Sequence, residues 1–181
     1  MTVRLLPAAD RVAVAWKNGG GTTREIAAEP PGADMAAFRW RVSIADVGGD
    51  GPFSVFPGVD RTLTLVEGAG MELVVDGEDR TVDERYVPQD FRGDVPTDCR
   101  LIDGPVVDFN VMWRRDAPGT PPSVAVVRGR LTVTGPAMVV VLDDGGADIG
   151  GHALGRYDAA LVTDEATALH ARGRTALITF A

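Results

Sequence analysis

The chain has 181 residues, enough for one large domain or two small ones and for a buried core. Its 45% apolar and 24% charged composition is that of ordinary globular proteins and requires neither disorder nor a membrane span. A formal net charge of −8, with no run of Lys or Arg to offset it locally, opposes a phosphate backbone, so nucleic acid is not an expected partner.

Arg4, Asp10 and Arg11 interrupt the apolar runs before Trp16, which leaves no signal-peptide core. Cys99 is the only cysteine, so no internal disulfide can form; the expectation is a cytoplasmic protein. Residues 16 to 25 then place Gly19, Gly20 and Gly21 between Trp16-Lys17-Asn18 and the ionisable pair Arg24-Glu25. Three glycines cost backbone entropy that a simple turn rarely needs, and they allow close approach of the main chain to another group. The same run is equally readable as a mobile loop or a bulge cluster. A P-loop is excluded because Lys17 precedes the glycines, and the dinucleotide fingerprint fails for want of a preceding buried strand.

Beyond a single helical turn at Met35-Ala36-Ala37, capped by Asp34, the pattern is one of strands. Residues 38 to 45 alternate Phe38, Trp40, Val42 and Ile44 with Arg39, Arg41, Ser43 and Ala45. Further strands are predicted at 61–66, at 71–75 and, across the Asp76-Gly77 hairpin, at 78–83. Over 106–114 an apolar face of Val107, Phe109, Val111 and Trp113 opposes Asp108, Asn110, Met112 and Arg114. Short β-rich runs follow at 123–127, 130–134, 137–142, 158–163 and 174–180. Turn signals about every 8 to 12 residues point to an all-β sandwich or barrel. Pro118-Gly-Thr-Pro-Pro122 is the strongest break, a linker or a rigid corner, and two β-barrel modules are the simplest arrangement.

Several blocks recur in a fixed order: Trp16-Lys-Asn-Gly-Gly-Gly with Thr23 and Glu25, Phe38-x-Trp-Arg41-x-Ser43-x-Ala45, Asp50-Gly-Pro-Phe-Ser54, Phe56-Pro-Gly-x-Asp-Arg61, Gly93-Asp94 and Asp108-Phe-Asn110. In these the chain resembles the HutD/Ves family. The blocks lie within residues 16 to 115, and residues 123 to 181 add little to the resemblance. It implies an all-β bicupin, two small antiparallel, jelly-roll-like barrels. Residues 1–115 would form the barrel carrying the motifs and 116–181 the second, with an approximate boundary and strand exchange allowed. It also implies a regulatory role in bacterial histidine utilisation through binding of a pathway metabolite such as formiminoglutamate.

Many cupins hold a divalent ion with two or three His and a Glu. Here the only histidines are His152 and His170, without a His-x-His pair, so neither a metal nor another cofactor is expected. No catalytic group is assigned. Cys99 reads as a small core residue with no neighbouring base, and carboxylate pairs such as Glu25 with Asp50 or Asp94 with Asp108 read first as loop-satisfying groups.

The reading therefore leans toward binding. Lys17, Arg41 and Arg61 are the candidate cations for a carboxylate, held by charge-assisted hydrogen bonds. Asn18, the amides of Gly19, Gly20 and Gly21, Asp108 and Asn110 would add directed hydrogen bonds, and Glu25 and Ser43 complete the set from the family blocks. The partner is a small polar metabolite, with no nucleic acid and no membrane; homodimerisation is left open. The alternative is a cupin-type isomerase or hydrolase acting on a small polar metabolite. Trp16, Trp40 and Trp113 are assigned to the core, and Phe53 and Phe56 anchor a loop that could form a pocket lip.

Overall fold

The computed structural model describes Val3 to Phe180. Within these residues the regular structure is strand, with one turn of 3-10 helix at Ala8–Asp10. The strands are β1 (Val3–Leu6), β2 (Ala13–Ala15), β3 (Gly21–Glu29), β4 (Trp40–Val47), β5 (Gly51–Pro52), β6 (Val59–Glu67), β7 (Met71–Val75), β8 (Glu78–Val82) and β9 (Gln89–Arg92). They continue as β10 (Thr97–Leu101), β11 (Val106–Arg114), β12 (Ser123–Val133), β13 (Ala137–Val141), β14 (Ala147–Ile149), β15 (His152–Leu154), β16 (Ala159–Val162) and β17 (Thr167–Thr179).

The chain divides into two compact units. One is continuous, Val12 to Pro118; the other combines the chain up to Arg11 with Gly119 onward. The continuous unit contains a sheet of order β2-β3-β4-β11-β6-β9 and a smaller one of order β5-β10-β7-β8, all pairings antiparallel. Leu63 and Leu65 of β6 meet Met71, Leu73, Cys99 and Phe53 in a shared apolar cluster. Central strands β4, β6 and β11 are buried on both faces, so the polar face expected for 106–114 is an interior one.

In the second unit β17 is the organiser. It pairs with β12 over most of its length, and with β13 and β14 over different stretches, while β1 closes onto β16 with Val3 opposite Val162. Val3, Val139, Ile149 and Leu169 belong to its core. The sheets curl, but their strand order leaves open edges, so the architecture seen here is all-β with curled sheets.

Several strand boundaries differ from the sequence expectation. Residues 123–127 and 130–134 form the single strand β12, carried through a register shift between Val127 and Gly129. The last strand starts at Thr167, not 174, and the longer strand β3, with β1, β2, β5, β9, β10, β14 and β15, was not anticipated. At Met35 the chain makes a turn, with the Ala36 amide donating to Asp34 Oδ1 at 2.9 Å. No helix among the described residues is long and apolar enough to cross a membrane.

Candidate functional site

Side chains two apart on a strand share a face, and antiparallel pairing lays them out in rungs. One rung runs Arg41 (β4), Met112 (β11), Arg61 (β6), Phe91 (β9). The next places Glu25, Ser43, Asn110 and Leu63 together, and the third Thr23, Ala45, Asp108 and Leu65. This face lines a cavity of about 670 Å³ within the continuous unit. Trp16, Phe53 and Phe56 contribute an aromatic wall, while Lys17 and Asn18 lie on its exposed margin.

Arg61 is the buried cation of the site, 8% exposed. Its Nη2 donates to Asn110 Oδ1 at 3.0 Å, and Asn110 Nδ2 in turn donates to Asp108 Oδ1. The guanidinium carbon sits 5.0 Å from the Phe53 ring centre and 5.3 Å from that of Phe91, within cation-π range on both. Its Nε is buried and unpartnered. Burial pushes the guanidinium down to about 10, opposed by Asp108 and aided by Arg41, so it stays charged at neutral pH.

Asp108 is 1% exposed, and desolvation pushes its carboxyl up to about 7 against the lowering effects of Arg61 and the Asn110 hydrogen bond. The chain Arg61, Asn110, Asp108 thus runs from a fixed cation to a group poised between acid and anion. Arg41 is held differently: its Nε donates to Glu25 Oε2 at 2.7 Å. Ser43, 3% exposed, also faces the cavity.

The structure gathers seven of the sequence-selected residues around one cavity: Lys17, Asn18, Arg41, Ser43, Arg61, Asp108 and Asn110. Glu25 and the three glycines are not among its lining residues. Glu25 orients Arg41, and the glycines shape a turn. The Gly19 amide donates to Trp16 O at 3.0 Å and the Gly20 amide to Asn18 Oδ1 at 2.9 Å, so both are committed within the turn. Gly21 is demanded by packing: a Cβ there would lie 2.6 Å from Asp46 O and 3.0 Å from the Trp16 ring.

Trp16 is itself a wall residue, its Nε1 donating to Thr23 Oγ1 at 2.7 Å and its ring meeting Phe53 edge-on at 6.2 Å. The second aromatic face over Arg61, from Phe91, has no signal in the sequence because Gln89–Arg92 shows no clear alternation.

The cavity's donor set does not suit a divalent ion. Its cations outnumber its one buried carboxylate, it has no imidazole or thiolate, and no group of three or more His, Cys, Asp or Glu among the described residues could hold a metal. Cys99 is a buried thiol in the apolar cluster, pushed up to about 12 by burial, and is no nucleophile at neutral pH.

The all-β chain, with a cavity lined by one face of its larger sheet in the continuous unit, has a cupin-like fold. A cupin 2 conserved barrel domain protein from Leptotrichia buccalis shares this fold at a TM-score of 0.60 and 12% identity, over 93% of this chain and 92% of that one. Within the class the chain belongs to the HutD family, whose profile matches residues 8–179.

The structure of HutD from Pseudomonas fluorescens SBW25, in a formate condition, superposes with a TM-score of 0.86 at 36% identity, covering 99% of both chains. Protein Ves of Cronobacter sakazakii is 44% identical over 102 residues, 56% of this chain and 55% of its own length. A 21.2 kDa protein in the hutC 3′ region of Pseudomonas putida is 39% identical over 111 residues, 61% of this chain and 58% of its own. The match therefore spans little more than half the length of these two relatives.

Proposed function

We propose that the protein is a small-molecule-binding bicupin that works without a metal, its two units being the two barrels. It takes a polar, carboxylate-bearing metabolite into the cavity between Val12 and Pro118 and serves a regulatory role in histidine utilisation. A pathway intermediate such as formiminoglutamate is the kind of ligand intended. The observation that carries the reading is Arg61: a charged, buried guanidinium, packed between two aromatic rings, whose Nε has no protein partner and whose side chain faces the cavity. A buried charge without a carboxylate partner is costly, and an incoming carboxylate relieves that cost with charge-assisted hydrogen bonds. The hutC-region relative and the HutD structure supply the pathway context.

A thermal-shift screen of histidine-pathway intermediates tests it, since a ligand that binds only the folded state raises the melting temperature. For the intermediate that raises it most, Arg61→Met is expected to weaken binding by about tenfold or more, the worth of a buried charge-assisted contact. If no intermediate shifts the melting curve, or Arg61→Met binds as tightly as the wild type, the reading is wrong.

One observation favours a second reading, an isomerase or hydrolase acting on a small polar metabolite. Asp108 sits in the cavity with its carboxyl near neutrality, as a general acid or base requires. Turnover of a bound intermediate that Asp108→Asn abolishes while binding persists would select this reading over pure binding.

A further inference from the structure

Lys17 is the only lysine in the chain, and among the cationic side chains from Val12 to Pro118 it alone makes no hydrogen bond or ion pair. The arginines of this unit are committed. Arg24 pairs with Asp46, Arg41 with Glu25, Arg100 with Glu72, and Arg92 and Arg115 with Asp94. Arg39, Arg80, Arg85 and Arg114 donate to backbone carbonyls. Arg61 gives one Nη to Asn110 and keeps a free Nε.

Three cations thus line the cavity, and with Arg41 paired to Glu25 two of them lack a carboxylate partner: Arg61, buried at its floor, and Lys17, exposed at its margin. A single carboxylate satisfies one of them and leaves the other unmatched. A volume of about 670 Å³ exceeds what one small monoanion fills.

The backbone that carries Lys17 is already fixed. Trp16 N donates to Gly21 O at 2.9 Å, and Gly19 N closes the turn onto Trp16 O at 3.0 Å. The Trp16 ring is pinned by Thr23 and Phe53. Only the Lys17 side chain has to order when a ligand arrives, which limits the entropic cost of using it. An ammonium on a flexible stem also accepts a carboxylate from many directions, where a guanidinium demands a planar fit.

We propose that Lys17 is the outer anchor of a two-ended anion site, so that the cavity selects small dicarboxylates: one carboxylate on the Arg61–Asn110 floor, the other on the Lys17 ammonium. This rests on the carboxylate reading above and adds the second end.

Calorimetric titration of the full chain with glutarate and with valerate, which differ only in the second carboxylate, tests it. In the wild type glutarate is expected to bind about fivefold tighter or better, near the upper value of an exposed ion pair. Lys17→Met should erase that advantage, and Lys17→Arg should keep most of it. Because Lys17 is the only lysine, its acylation by N-acetoxysuccinimide can be followed by mass spectrometry on unmutated protein. Glutarate should slow it, and valerate at equal occupancy should not.

Equal affinity for the two acids in the wild type overturns the proposal, as does a glutarate preference that survives in Lys17→Met or an acylation rate indifferent to glutarate. Those results leave the single-carboxylate reading standing. Failure of both acids and of every pathway intermediate to bind removes that reading as well.

Discussion

Asp108 and Arg61 share one electrostatic problem, and its solution is measurable. With the Asp108 carboxyl up at about 7 in the fold and at 3.8 ordinarily, the folded state keeps a proton that the unfolded chain has released between those values. Stability supplied by that proton is fully present below about pH 4 and lost as pH rises toward 7. Denaturant melts across this range are expected to show the decline, and Asp108→Asn, which is neutral at every pH and can still accept from Asn110, is expected to abolish it. Arg61 pulls the other way, stabilising the Asp108 carboxylate. Arg61→Met should therefore raise the Asp108 pKa above its wild-type value, as read by carbon-13 titration of its carboxyl. The other charges acting on this pair are those of Arg41 and Asp46, and neither is altered in these variants.

The strands turn these residues into a site, and glycines set how closely they approach. A Cβ on Gly93 would stand 3.1 Å from the Cγ and Cδ of Arg61 and 3.0 Å from Val59 O, so the stem of the guanidinium lies directly over that glycine. Gly93→Ala is expected to cost about 1–3 kcal/mol, as overpacking does, and to weaken ligand binding by displacing Arg61. Gly21→Ala should be costly in the same way but should show itself in the fluorescence of the displaced Trp16, with melting curves giving the loss of stability.

Sequence patterning made β4 and β11 legible through their alternation and β6 as a short Thr- and Leu-rich run, and with them most of the cavity face. It did not reveal β3. A bulge between Glu25 and Ala27 breaks the two-residue period, and Gly21-Thr-Thr-Arg-Glu is too polar to read as a strand. The first half of β17 was hidden for a different reason: Arg172-Gly-Arg174 reads as a polar turn, although both arginines lie on the exposed face and Thr167, Leu169, Ala171 and Gly173 on the buried one. Pairing across the sheet was equally beyond the sequence. It sets Phe91 beside Arg61 and makes the polar face of β11 an interior surface; alternation alone cannot tell whether a polar face meets solvent or a cavity.

The two units draw differently on the chain. From Val12 to Pro118 the residues are contiguous, whereas the other unit takes β1 and the 3-10 turn from before that stretch and its remaining strands from after it. Val3 is 7% exposed within its core, although the rest of that core comes from residue 127 onward. Val3→Ala is expected to cost about 1.5 kcal/mol from the lost methyl groups alone, measured by chemical denaturation.

The partnership of β1 with β16 also sets an order of events during synthesis. Val3 leaves the ribosome well before its partner Val162, which follows only after the whole intervening unit has been made. Closing so long a loop is entropically slow, while β3, β4, β6 and β11 can assemble from nearer segments. In pulse-labelled hydrogen exchange during refolding, the amides of β4, β6 and β11 should gain protection before those of β1 and β16. Until then a nascent chain holds out an unpaired strand, Val-Arg-Leu-Leu, with its backbone donors and acceptors open to any other exposed edge. Crowded ribosomes making this protein are thus where aggregation is most to be expected, with Arg4 the one charge in that strand to oppose it.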